Sequence, residues 1–172
     1  FGFNIKGFDK YFDKTVETII LDKDYHLRVY SPDGSLLVHS DEYYGHDPRM
    51  IDIGVEQVGF FPPTGKPVNF RGRLLLEKSG GSKYMLVPRN HRFGGSLLSN
   101  AIVINSSSLV VLGADKEGFS KIFETKEQKG YIAAYQVTTL RGKEREIHVA
   151  VVQSGNLTNR GKTTIFTYNW TS

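Results

Sequence analysis

The run from Lys143 to Val152, KEREIHVAVV, constrains the fold more than any other stretch of the chain. In an extended backbone its strict alternation puts Lys143, Arg145, Ile147, Val149 and Val151 on one side. Glu144, Glu146, His148, Ala150 and Val152 take the other. A helix would scatter both sets around its circumference, so the segment reads as a strand. It has neighbours of the same kind: GYIAAYQVTTL (130–140) before a turn at Arg141-Gly142, and KTTIFTYNW (162–170) after Gly155–Gly161. Three strand patterns joined by turns make an antiparallel meander.

The rest of the chain extends that pattern. YHLRVYS (25–31) and SLLVHS (35–40) flank Pro32-Asp33-Gly34, a turn sequence, and form a hairpin. RGRLLLEKSGGSKYMLVPRNHR (71–92) is a second hairpin turning at Gly80-Gly81. AIVINSSSLVVLG (101–113) and FSKIFET (119–125) read as strands by propensity. Residues 41–69 are rich in Pro and Gly and read as connection, with one short strand near Ile51–Val58. Phe8, Tyr11, Phe12, Val16 and Ile19 recur at helical spacing and predict an amphipathic N-terminal helix. The expected organisation is this helix or extension over 1–22 and a single domain over 23–172. No βαβ alternation and no low-complexity segment occurs.

A chain of 172 residues, 39% hydrophobic and 23% charged, has the makings of one globular core. No apolar run reaches the length of a membrane-spanning helix. With no cysteine there are no disulfides, no thiol nucleophile and no Cys-based zinc site, which fits a reducing or organellar compartment. Charge is unevenly placed. Residues 1–60 hold 6 Lys/Arg against 11 Asp/Glu, whereas residues 61–172 hold 16 against 7. A split of this kind points the later part toward a polyanion.

Two apparent motifs carry no chemistry. GNLTNRGKT (155–163) resembles a phosphate-binding loop, but five residues separate Gly155 from Gly161-Lys162-Thr163, and a strand pattern follows where a helix N-terminus is needed. His39, Asp41, His46 and Asp47 lack the spacing of a metal site and read as loop residues. Neither a GxSxG stretch nor any other catalytic signature is present, so no enzymatic activity, cofactor or metal is expected.

What remains is electrostatic. Arg71, Arg73, Lys78, Lys83, Arg89 and Arg92 edge the second hairpin, and Lys129, Arg141, Lys143, Arg145, Arg160 and Lys162 sit at later strand ends and turns. Tyr84, Tyr131, Tyr135, Phe166, Tyr168 and Trp170 are interleaved with them. Cations at the rim of a sheet with aromatics on its face suit single-stranded nucleic acid, through phosphate contacts and stacking. Strand aromatics are also the usual material of a core, the reading favoured for Tyr135 and Phe166. The contact set is Arg71, Arg73, Lys78, Lys83, Arg89, Arg92, Lys129, Arg141, Lys143, Arg145 and Lys162 for phosphate, with Tyr84 and Tyr131 for stacking.

Taken together, RLLLEKSGGSKYMLVPR, SSSLVVLGADKEGFSKIF and GYIAAYQVTTLRGKEREIHVAVVQSG resemble the Whirly fold, and within it the kinetoplastid mitochondrial proteins that bind guide RNA. The most specific piece is LVVLGADKEGFSKIF. The resemblance implies an α+β, strand-dominated fold of two four-stranded antiparallel sheets in a ββββα repeat with few short helices. It turns the segment near Ser106–Gly113 into a helix capped by Ser106 or Ser107 and ended by Gly113. It further implies sequence-tolerant binding of single-stranded RNA, annealing during mitochondrial RNA editing, and a heterotetramer with a related subunit. The plant branch's Lys-Gly-Lys-Ala motif is absent, and Ser31-Pro-Asp-Gly-Ser stands in its place.

Two other functions stay open at this level. RVYSPDGSLLVHSDEYYGHD looks like the strand-turn-strand of extracellular Cache-type small-molecule sensors, over about twenty residues. A viral or structural β-domain is the third reading. The polyanion reading predicts that Arg71→Ala with Arg73→Ala weakens binding to all RNA sequences alike and flattens its salt dependence, as read by titration at two ionic strengths.

Overall fold

Tyr84-Met-Leu-Val-Pro88 and Leu109-Val-Val-Leu112 are non-polar at every position, not at every second one, which marks strands covered on both faces. The computed structural model describes residues 18–22, 24–45, 50–53, 66–69, 74–79, 82–92, 104–115, 118–140, 144–153 and 161–171. In it β7 (Ser82–Arg92) and β8 (Ile104–Asp115) pair antiparallel from Tyr84↔Gly113 to Arg92↔Ile104. Met85, Val87, Val110 and Leu112 point to one side of this pair, into a core shared with Ile19, Leu21, Leu27 and Val29. Leu86, Leu109 and Val111 point to the other, into a core shared with Ile132, Tyr135, Ile147, Val149, Val151 and Trp170. Three layers of sheet result, with two cores between them.

The first outer sheet is β1 (Thr18–Leu21), β2 (His26–Tyr30) and β3 (Leu36–Tyr43), in that order. Its strands alternate, with Leu27 and Val29 buried between half-buried neighbours. The β2–β3 turn is the expected one. Asp33 accepts from the backbone N–H of Ser35 at 3.1 Å and from the Ser31 hydroxyl, and Gly34 takes φ 87°. The middle sheet adds β6 (Leu75–Ser79) beside β7. Along the far edge of β8 it adds β9 (Gly118–Glu124) and β10 (Gln128–Lys129). The third sheet is β11 (Tyr131–Thr139), β12 (Glu144–Gln153) and β13 (Lys162–Thr171). On β12 the side carrying Arg145, Ile147, Val149 and Val151 is the buried one. β4 (Met50–Ile53) and β5 (Lys66–Asn69) form a separate two-stranded ribbon.

Strand dominance is borne out, and three details are corrected. Residues 106–113 are strand, not helix: Gly113 lies within β8, and Ser107 and Ser108 are buried ladder residues. A run of Leu and Val covered on both faces takes the extended form that β-branched side chains favour. No helix occurs among the described residues, and the described strands divide among sheets of three, five, three and two instead of four and four. Ile19, expected at the end of the N-terminal helix, is in β1, where Thr18-Ile-Ile-Leu pairs with β2; the rest of that helix lies outside the described residues. β5 was hidden in the sequence by Pro67.

Between the middle and third sheets the chain turns a corner at Gly130. Its φ is 102°, and a Cβ placed there would lie 2.3 Å from the carbonyl oxygen of Val152. Any side chain would have to displace backbone at the point where β10 hands over to β11. Gly34 has a similar φ but open space around it. Gly130→Ala is therefore expected to cost about 3 kcal/mol or more and Gly34→Ala only about 1 kcal/mol, measured as the shift in urea midpoint at constant m-value.

Candidate nucleic-acid interface

β12 runs about 30 Å from Glu144 to Gln153, and the cations proposed to line one surface sit at its two ends. At the Gln153 end, Lys162 is the cross-strand partner of Gln153, and the Lys129 carbonyl accepts from Gln153 Nε2 at 3.3 Å. Both lysines are exposed, and among the described residues no carboxylate pairs with either. Lys126, exposed, is three residues before Lys129. The ladder also aligns His91, Ser106 and Lys129 across β7, β8 and β10, with Arg92 opposite Ile104 just beyond. Tyr131, half-buried, is next to this end. Among the described residues Glu127 is the acid at this end; it accepts from the Ser106 hydroxyl and lies 3.9 Å from His91 Nε2.

The opposite end is different in kind. Arg145 is 5% exposed, 3.5 Å from Glu77, and donates to the Glu144 carbonyl at 3.0 Å. Its strand position is on the core side, so it closes the second core and does not face a ligand. Tyr84 packs edge-on against Trp170, ring centroids 4.8 Å apart, and Tyr168 and Phe166 pack against the same core. These aromatics are thus on the covered face, with Tyr84 half-buried against Trp170. Lys78 and Lys83 are directly opposed in the β6–β7 ladder. Arg71, Arg73, Arg141, Lys143 and Arg160 lie outside the described residues.

Among the described residues the outer face of the third sheet carries no phosphate surface. Its described rows are Tyr131–Val152–Thr163, Ala134–Ala150–Ile165, Gln136–His148–Thr167 and Thr138–Glu146–Asn169, with no Lys or Arg among them. Ile165 is 70% exposed there, and Glu146 holds His148 at 3.2 Å.

Arg89 belongs to a separate polar cluster, between β3 and the β8–β9 edge. Its guanidinium meets Glu42 at 3.1 Å and Glu124 at 3.7 Å. Glu124 also accepts from Lys121 at 2.8 Å and Ser108 at 2.6 Å, and Glu42 accepts from the Tyr44 hydroxyl at 3.0 Å. Burial and the Glu42 hydrogen bond push the Tyr44 phenol well above its usual range. Burial also works to raise Glu124, but the hydrogen bonds from Lys121 and Ser108, with the charges of Lys121 and Arg89, outweigh it and hold the carboxyl below its ordinary value. With both its terminal guanidinium nitrogens on carboxylates, Arg89 is a structural ion pair.

Sequence reasoning missed Lys126 and Gln153. The charged run ETKEQKGY contained the signal for the first; nothing marked Gln153 until the structure set it opposite Lys162 with its amide on the Lys129 carbonyl. Among the described residues no His, Asp and Glu gather into a metal-binding group, and no helix is long and apolar enough to cross a membrane. Comparison with family models, curated proteins and solved structures found no match.

The Glu124 network sets an acid limit on stability. A carboxyl held low in the fold stabilises it above its unfolded pKa, and that stabilisation is lost as pH falls through the lower folded value. Stability should decline below about pH 4, and Glu124→Gln should flatten that part of the profile, measured by urea unfolding between about pH 3 and 7.

Proposed function

We propose that this chain is a non-enzymatic module that binds single-stranded RNA by its phosphate backbone at the end of the domain that carries Lys126, Lys129 and Lys162. One observation carries the reading: Lys162, the cross-strand partner of Gln153, and Lys129, whose carbonyl accepts from Gln153 Nε2, are both exposed, with no described carboxylate to neutralise them. Lys162 reaches this end from the third sheet and Lys129 from the edge of the middle sheet, so a phosphate backbone crossing the end meets one ammonium group from each. Arg92 ends β7 on the same side, and Tyr131 is the one proposed stacking residue outside the core clusters.

Such a site reads charge and spacing, not bases. Binding is tolerant of sequence, weakens with salt and leaves base edges free for a complementary strand. The resemblance to the Whirly group adds the finer proposal: a guide RNA as ligand, annealing in mitochondrial RNA editing as the role, and a heterotetramer with a related subunit whose cations continue the strip. The three-layered architecture neither requires nor supplies those details.

In fluorescence-anisotropy titrations with single-stranded RNA of about 30 nucleotides, Lys129→Ala with Lys162→Ala should weaken binding to unrelated sequences equally. It should also lower the slope of log affinity against log salt by about 1.4, the share of two phosphate contacts on a single strand. Unchanged affinity and slope would remove this end of the domain from consideration.

A further inference from the structure

Where the first outer sheet leaves the middle sheet, the apolar core does not close. A cleft of about 310 Å³ opens between β3 and β9. Its inner wall is Val38, Leu112 and Phe119, the margin of the first core. Its outer wall is polar, with Asp41, Glu42 and Lys121 at the lining. A cavity of this size, apolar at one end and charged at the other, is the usual form of a small-ligand site.

The charges decide what kind of head group it takes. Lys121 is engaged by Glu124 at 2.8 Å, and Arg89 is divided between Glu42 and Glu124. Both cations are therefore held by carboxylates. On the other side are three acids, Glu42, Glu124 and Asp41. Asp41 is exposed, and among the described residues no cation pairs with it. His39 also lines the cleft. The cluster carries one more negative than positive charge, and the surplus lies on the cleft side. Glu42 uses Oε2 for both Arg89 and Tyr44, so its other oxygen has no described partner.

We infer that the cleft between β3 and β9 binds a small primary amine, its ammonium group received at the exposed mouth by Asp41 and its apolar body laid on Val38, Leu112 and Phe119. An anionic ligand would meet two carboxylates at the lining and only a lysine already in an ion pair. A ligand without an apolar body would leave the inner wall wet. The site is separate from the lysines proposed for RNA, which lie at the end of the third sheet.

The test compares three probes with one body: 2-phenylethylamine, 3-phenylpropionate and 2-phenylethanol, titrated by calorimetry and by amide shifts in ¹⁵N-labelled protein. The amine should bind, shifting the amides of Ser40, Asp41 and Phe119, and the other two should bind at least about tenfold more weakly. Asp41→Asn, at an exposed position outside the Arg89 network, should weaken the amine about tenfold without unfolding the chain. Lys129→Ala should leave amine binding unchanged. Tighter binding of the carboxylate would overturn the inference in favour of Lys121 as the receiving group. Equal binding of all three would reduce the cleft to a nonspecific apolar site, and no binding at millimolar concentration would remove it as a site.

Discussion

The β7–β8 ladder is buried on both faces, and the rest of the molecule is arranged around that requirement. Met85, Leu86 and Val87 on one strand, with Leu109, Val110, Val111 and Leu112 on the other, are at most 1% exposed. A charge anywhere along this stretch would have to be desolvated between two sheets, at a cost of several kcal/mol. Charged and hydrogen-bonding side chains are therefore pushed to the ends of the ladder. Arg89, Asn90, Ser107 and Ser108 mark one end, and Glu77 with Arg145 the other. The separation of the cationic residues into two groups follows from this, since no continuous stripe of lysines can cross a dry middle layer.

Each break in the ladders is answered by a particular side chain. The β11 register slips between Ile132 and Ala134, and the Ile132 N–H donates instead to Asn90 Oδ1 at 2.9 Å. The edge between β9 and β10 is interrupted at Thr125, whose backbone N–H donates to the Leu109 carbonyl while its Oγ1 accepts from the Leu109 N–H, both at 2.9 Å. The Tyr135 hydroxyl reaches the Leu86 carbonyl at 3.1 Å. Buried backbone groups left unpaired would each cost on the order of 1–3 kcal/mol, so these few polar residues join the layers as firmly as the apolar ones. Pro88 fits the same logic. It lies beyond Leu86, where the described β6–β7 pairing ends, and its carbonyl accepts from the Gly45 N–H.

The strands were legible in the sequence because their patterns differ with their surroundings. Alternation in KEREIHVAVV matches a sheet covered on one face, and the unbroken runs in YMLVP and SLVVLG match strands covered on two. Resemblance misled where propensity did not: a helix ending at Gly113 was inferred from element order, while the residues themselves favour a strand. The site was less legible. Sequence shows that Arg89 and Arg145 are cations, but not that Glu42, Glu124 and Glu77 are waiting for them from distant strands. Nor does alternation alone say which side of β12 faces inward, and that choice turned Arg145 from a proposed phosphate contact into a core residue.

Stacking two outer sheets on one shared centre also divides the molecule into units that can open separately. The first outer sheet meets the centre through Ile19, Leu21, Leu27 and Val29, and the third through Ile132, Ile147, Val149 and Val151, with no described side chain common to both contacts. Either layer can lift away while the other remains docked, leaving β7 and β8 protected on one face. Amides of the middle ladder should then exchange with solvent only on global unfolding, and those of each outer layer through its own partial opening. A partner that grips only one layer would slow exchange in that layer alone, which makes amide exchange a map of where this molecule is held.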